Sequence, residues 1–363
     1  MAKAAEHGLR STPGNFQMKG VVTGTRNQQS FFNEKTFDSG SKMRAVTFGV
    51  KYDTDKTLYP TIQGFTRSDV YFSKKNKETN KTETHKVSWA QRMTYGEQNP
   101  GWNIIGLNVG LTKDEDGKNI VKHLTEYDAA QYIKENLKDD ASVFIRGNLE
   151  FRSYTNTKTN EVKRFNNFAA TQVSLCADVD FSAEGFDPTH EWTQEIVYTG
   201  IDKETDTDGK HTGRFILSGY VVSYNAIEPV SFIVTNAKFA QNIRKKLKPY
   251  HSIQCHGKIE VTHMIEEVAS TTTDEWGEEN KMDRRANAPS IRELICTGAN
   301  PDTIDTESFS EESVAEGIKK LKAKEKVAQN FGDKKEEVKA ADDTGDDWGD
   351  DSSSTDDEEE IPW

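Results

Sequence analysis

Two stretches of this chain repeat at a fixed separation of 110 residues, so whatever it folds into is built at least partly twice. Ala130 to Lys138 (AQYIKENLK) lies over Ala240 to Lys248 (AQNIRKKLK), and the register holds from Ser142 to Glu150 (SVFIRGNLE) over Ser252 to Glu260 (SIQCHGKIE). Each copy reads as a helix followed by a strand. Ala130, Ile133 and Leu137 recur at helical spacing, whereas Val143, Ile145, Gly147, Leu149 and Phe151 alternate at period two. Ile253, Cys255, Gly257, Ile259 and Val261 alternate in the same way.

Weaker matches lie upstream, with Arg44 to Val50 (RAVTFGV) against Arg214 to Tyr220 (RFILSGY) at a separation of 170, and Val22-Thr23-Gly24 against Tyr198-Thr199-Gly200 at 176. The fall from 170 to 110 places about 60 extra residues in the first copy, near 65–124. Around that insertion, strands read at 16–25, 42–52 and 58–65, a helix at 127–137, and strands at 142–153 and 164–176. The second copy gives strands at 192–201, 213–224 and 228–235, a helix at 237–247, and strands at 251–263 and 291–298. Five strands with a helix between the third and fourth is the chain order of an OB-fold. That small barrel binds oligonucleotides on its second and third strands and on the loops joining strands one to two and four to five. The expected fold is therefore mainly β: two tandem OB-fold-like five-stranded barrels at 16–180 and 190–300, after an N-terminal arm at 1–15. An amphipathic helix at 310–331 and a disordered acidic tail at 332–363 follow. Gly49 and Gly219, at matching places in the second strands, suit a strand that bends tightly around a barrel. Two antiparallel α+β domains without barrel closure are the plainer alternative.

The formal net charge of −13 argues against a nucleic-acid partner only until it is divided along the chain. Residues 1–180 carry 26 Lys+Arg against 21 Asp+Glu, whereas 342–363 carry 11 acids and no base, so the first copy is basic and the acidity is concentrated at the C-terminus. Cys176, Cys255 and Cys296 make an odd number without CxxC spacing, which gives no disulfide framework. His251, Cys255, His256 and His263 crowd together, but strand alternation sends Cys255 and His256 to opposite faces, and no metal site is expected. Walker A, GxSxG, HExxH and paired CxxC patterns are absent, so the chain is read as a non-enzyme without cofactor or small-molecule substrate. The longest apolar runs, Phe215-Ile216-Leu217 and Phe232-Ile233-Val234, fall far short of the roughly 18 residues that span a bilayer. With no apolar signal block at the start, a cytoplasmic protein without a membrane partner is expected.

Binding an unpaired strand without regard to sequence needs cations to replace counterions along the phosphates and flat rings on which bases stack. The first copy supplies both. Its loop between strands one and two carries Arg26, Phe31 and Phe32 among polar residues; strands two and three supply Arg44, Lys51, Tyr52 and Tyr59. The fourth strand ends in Arg152, Tyr154 and Lys158, and the run Lys163-Arg164-Phe165 opens the fifth, with Arg164 the assigned contact. The insertion adds Tyr71, Lys74, Lys75, Trp89, Arg92 and Trp102. Each ring has a competing reading as core. The second copy has fewer interleaved cations and is expected to bind more weakly.

The chain ends Asp356-Asp357-Glu358-Glu359-Glu360-Ile361-Pro362-Trp363. This closely resembles the acidic tip of bacterial and phage single-stranded-DNA-binding proteins, in which a run of acids precedes Ile-Pro and a terminal aromatic. The resemblance implies that these eight residues bind replication, recombination and repair enzymes, the aromatic and free carboxylate entering a basic-rimmed pocket. The physics agrees, since Trp363 is a large anchor, Pro362 limits the entropy lost on ordering and the acids steer association. Members of that family commonly have one barrel and end in Phe. Two barrels and Trp363 point instead to a phage-type protein acting in the host cytoplasm. The expected function is binding of single-stranded DNA, with the tail also competing for the basic groove. RNA binding or strand annealing on the same barrels, a metal-dependent nuclease assembled in three dimensions, and a histone-like or chaperone scaffold are the alternatives.

Overall fold

A computed structural model describes residues 5, 7–155, 159, 161–263 and 290–324. The first half runs β1 (Gly14–Thr23), α1 (Gln28–Phe31), β2 (Phe32–Thr36), β3 (Lys42–Thr47), β4 (Gly49–Lys51), β5 (Thr57–Leu58) and β6 (Thr61–Phe65). It continues through β7 (Asp69–Lys75), β8 (Thr82–Ser88), α2 (Tyr95–Gln98), β9 (Asn103–Ile104), β10 (Leu107–Lys113) and β11 (Asn119–Leu124) to α3 (Glu126–Asn136), β12 (Ser142–Thr155) and β13 (Val162–Leu175). The second half has β14 (His190–Thr205), β15 (His211–Val222), β16 (Ile227–Val234), α4 (Ala237–Lys246), β17 (Ser252–His263) and β18 (Ser290–Asp305), followed by a helix, α5, over 311–324. The molecule is mainly β. Every strand and helix expected from the repeat is present, with β14 and β18 longer than anticipated.

In the second half β14 pairs with β15, β15 with β16, β16 with β18, β18 with β17, and β17 with β14, a closed circuit of five strands. The first half repeats it. There β3 and β4, separated by the buried Phe48, together take the place of β15, and the circuit runs β1, β4/β3, β6, β13, β12 and back to β1. Each circuit includes a single parallel residue pairing, Thr61 with Ala169 and Ile233 with Ile295.

The repeat is visible in backbone detail. Thr125 caps α3 by accepting the Asp128 N–H, and Asn236 caps α4 by accepting those of Lys238 and Phe239. Four residues after each helix, Asp140 and Tyr250 take the same left-handed φ of 70°. Their N–H groups donate to the carbonyls of Val22 and Tyr198, which returns the chain to the first strand of its own copy. Gly147 and Gly257 both sit at a register shift, and a Cβ at either would overlap a carbonyl on the neighbouring strand, that of Ala169 or Ile295. Gly49 and Gly219 likewise permit close approach, to Thr23 and Thr57 in one copy and to the Val197 carbonyl in the other.

Nothing in the repeat announces how the copies join. Gly14–Met18 of β1 pairs along one edge with His190–Gln194 of β14, while Asn15–Val21 pairs with β12 along the other, so one sheet runs through both halves. The core is continuous too: Trp192 stacks on Phe232 with ring centroids 4.7 Å apart, and Phe232 meets Phe151 edge-on at 5.9 Å. Tyr52 stacks on His190 at 4.5 Å, its hydroxyl accepts the Val261 N–H at 3.2 Å, and Lys56 pairs with Glu260 at 2.8 Å. Burial holds the His190 imidazole below its ordinary pKa, so it sits in this contact uncharged at neutral pH. On the far side, Arg10 bridges Glu195 and Asp305, while Val314 of α5 is buried with Leu9, Val222 and Ile227. Ile318 and Leu321 pack against this cluster; Ala328 and Phe331, within the helix expected at 310–331, lie outside the described residues.

The insertion forms a small sheet, β8-β7-β9, and a β10–β11 hairpin that joins the main sheet at β13. Val70, Phe72, Val87 and Ile104 make its own cluster, with Trp89, Tyr95 and Trp102 packed against it.

Because backbone cannot retreat as a side chain can, Gly147→Ala and Gly257→Ala should each cost about 3 kcal/mol or more in chemical denaturation. Gly200→Ala, where a Cβ meets nothing within 4 Å, is the control and should change stability by less than about 1 kcal/mol.

Candidate nucleic-acid interface

Side chains on adjacent strands share a face when their residues are paired, so register alone identifies the outer surface of the first half. Arg152 pairs with Phe165 and Tyr154 with Lys163, which puts all four on one face of the β12–β13 hairpin. Ala169, on that face, pairs with Thr61, and the same face continues through Gln63 and Phe65 of β6, Ala45 of β3, and Asn33 and Lys35 of β2. Ile62, Val46 and Phe168, of opposite parity, are buried.

Two pairs of exposed rings mark the ends of this face. Tyr154 and Phe165 are about 40% exposed, with centroids 6.1 Å apart; Phe37 and Phe65 are similarly exposed at 6.2 Å, and the Lys35 ammonium lies 5.4 Å above Phe37. Phe65 and Phe165 lie four residues either side of the Thr61–Ala169 pairing in opposite directions. At roughly 3.3 Å per residue the ring pairs are about 26 Å apart along the strands. Between them lie small or polar residues, Gln63, Ala45, Asn167 and Asn148, that leave the surface open. Lys35 and Lys163 are exposed and have no carboxylate partner among the described residues.

Several expected contacts are spent elsewhere. Phe31 and Tyr52 are each 1% exposed, which corrects their placement on the surface. The single turn of α1 swings Phe31 inward onto Phe48, and Tyr52 fills the contact between the copies, where burial raises its phenol pKa. Arg44 faces α3, its guanidinium 2.9 Å from Glu34 and 4.3 Å over Tyr127; that pairing lowers the Glu34 pKa. Phe32, half-buried, lies under the Lys134 ammonium. Arg92 makes two hydrogen bonds to Asp128, at 2.7 and 2.9 Å, and covers Trp89, which also meets Tyr127. These charges are neutralised and half-buried. Trp102 is held against His85 in the insertion cluster.

The remaining candidates are on the surface. Lys51, Tyr59, Tyr71, Lys74, Lys75 and Arg164 are exposed; Arg26 is exposed but paired with Asp139 and Asp140, and Arg152 with Glu150. Only Arg152 and Tyr154 join the face described above; Arg164, paired with Ser153 between them, takes the opposite face of the hairpin. Lys158 and the tail residues Asp356, Asp357, Glu358, Glu359, Glu360, Ile361, Pro362 and Trp363 lie outside the described residues. Phe37, Phe65 and Lys35 were not expected. Their signal is the alternation of Gln63 with Phe65, obscured because β2 falls in the stretch expected as the loop between strands one and two.

Cys255 is buried beside Cys296 while His256 is exposed; among the described residues no three His, Cys, Asp or Glu side chains converge as a metal site requires. No described helix is long and apolar enough to cross a membrane.

The model of the YorF family matches residues 19–334, from within β1 to beyond α5. The chain belongs to the YorF family. No curated protein matches this YorF member. Among solved structures, it is similar to a deletion mutant of the single-stranded DNA binding protein from Thermus aquaticus, at 10% identity and a TM-score of 0.35, covering 69% of this chain and 88% of that one. The wild-type Thermus aquaticus protein gives 9% identity and 0.34, covering 70% and 87%. A Plasmodium falciparum SSB complex with ssDNA gives 11% and 0.15, covering 46% and 87%.

Core and surface rings should separate in stability. Phe31→Ala should lower unfolding free energy by about 3–5 kcal/mol in urea melts, whereas Phe165→Ala should cost less than about 1 kcal/mol. Equal losses would mean that Phe165 is structural.

Proposed function

We propose that this YorF member binds single-stranded DNA without strong sequence preference and performs no chemistry on it. The observation that carries this reading is the outer face of the first half, where two exposed ring pairs stand at either end of an open polar surface with unpaired lysines beside them. Base stacking on such rings is sequence-tolerant, because every base has a π-face, and lysines displace counterions from any phosphate. Burying a Phe side chain typically gains about 1.5–3 kcal/mol, so rings left in water forgo that gain unless they meet a ligand. The five-strand circuits support reading each copy as an OB-like barrel; in the first, Phe65 ends the third strand, Phe37 lies in the connection between the first and second, and Tyr154 and Phe165 lie on the fourth-to-fifth hairpin. The acidic tip Asp356–Trp363 would recruit replication, recombination or repair enzymes, and its charge would compete with DNA for the lysines.

Fluorescence anisotropy with a labelled dT oligomer tests the site. Replacing both rings of either pair, Tyr154→Ala with Phe165→Ala or Phe37→Ala with Phe65→Ala, should weaken binding about tenfold or more, since stacking contributes about 1–3 kcal/mol per base. Duplex DNA should compete poorly, and matched RNA oligomers in the same assay separate an RNA-preferring reading. Unchanged affinity in both double variants would contradict the proposal.

The tail has a separate readout. A chain ending at residue 341 should bind the oligomer more tightly at low salt, with the difference shrinking as salt rises. Removing only Ile361-Pro362-Trp363 should leave oligomer affinity as it was and abolish retention of partner enzymes. Equal affinity of full-length and shortened chains at low salt would rule out competition by the tail.

A further inference from the structure

A cleft of about 430 Å³ separates the two copies. One wall is the β12–β13 hairpin, with Arg152, Arg164 and Phe165; the other is formed by β16 and β18, with Glu228, Arg292 and Glu293. The charges in it are unequally committed. Glu293 is bound by Arg214 at 2.6 Å, Glu228 accepts the Ser153 hydroxyl at 2.7 Å, and Arg152 is tied to Glu150. Arg164 and Arg292 have no carboxylate partner among the described residues; Arg292 instead lies 5.3 Å over the ring of Phe168. Two uncompensated guanidiniums therefore face a space of the size that ligand pockets occupy, about 300–1,000 Å³.

Register connects this space to the outer face. Phe165 and Arg164 are consecutive on β13, so the ring belongs to the outer face and the guanidinium to the opposite one, which borders the cleft. A strand stacked on Tyr154 and Phe165 that turns over this edge meets Arg164 next and Arg292 beyond it.

We propose that the cleft holds one nucleotide of the bound strand, its phosphate held by Arg164 and Arg292 and its base against Phe165. Guanidinium forks match phosphate oxygens geometrically, which favours a phosphodiester over a diffuse anion. The proposal rests on the single-strand reading above and extends it, because it brings the second copy, through Arg292, into the site.

The test uses full-length protein and dT oligomers of about 5 and about 20 nucleotides across a salt series. Arg292→Ala should weaken binding of the longer oligomer about tenfold and reduce the slope of log affinity against log salt by about 0.7, the loss of one phosphate contact on a single strand. The short oligomer, which the outer face accommodates, should change less than about twofold. Arg292→Lys should keep the salt slope while recovering only part of the affinity. Arg164→Ala carries the same expectation and serves if Arg292→Ala does not fold by thermal melting. If wild type binds the longer oligomer and both alanine variants match it in affinity and slope, the cleft site falls while the outer-face reading stands. If wild type does not bind the longer oligomer, both fall.

Discussion

A β-strand has two hydrogen-bonding edges, and the stretch from Gly14 to Met18 uses both, one for β12 of its own copy and one for β14 of the next. Domains joined only by a linker are free to move relative to each other; here the second copy begins on the sheet of the first. Gly14 makes the contact possible, since a Cβ there would overlap the side chain of Gln194, which is fully buried and donates to the Thr12 and Glu195 carbonyls. The β12–β13 hairpin hangs from one edge of β1 and the second circuit from the other. The position of the cleft between them follows from that sharing.

Given this frame, strand parity decides the fate of each ring. Phe168 and Leu149 point inward while Phe165 and Tyr154 point out, from the same two strands. The cations divide similarly. Arg44, Arg92 and Arg214 are half-buried and each has a carboxylate partner, as expected where leaving a charge unpaired costs several kcal/mol. Lys35 and Lys163, in water, remain available to a phosphate.

The repeat made the strand order legible, and even the short match of Val22-Thr23-Gly24 to Tyr198-Thr199-Gly200 proved structural, because Val22 and Tyr198 accept equivalent hydrogen bonds from Asp140 and Tyr250. Individual rings were harder to place. Polar neighbours made Phe31 read as loop, but one helical turn capped by Asn27 is enough to reverse its direction. Tyr52 lies just past β4, where alternation no longer predicts a face. Phe37 and Phe65 are not legible as a surface pair, because β2 pairs with β3 through the charged stretch Phe32–Thr36, which carries no apolar alternation. The join at β1 leaves no trace in side-chain pattern at all, since pairing through backbone does not alter which residues point inward.

In the proposed complex, unpaired bases lie against Tyr154, Phe165, Phe37 and Phe65. Photo-crosslinking of an iodouracil-substituted single strand, followed by peptide mapping, reads those contacts directly. Adducts should concentrate in the segments 152–155, 162–166 and 33–37 with 63–66, and excess unlabelled single strand, but not duplex, should suppress them. Adducts confined to the β7–β8 insertion or to the second copy, or equal suppression by duplex, would contradict that placement.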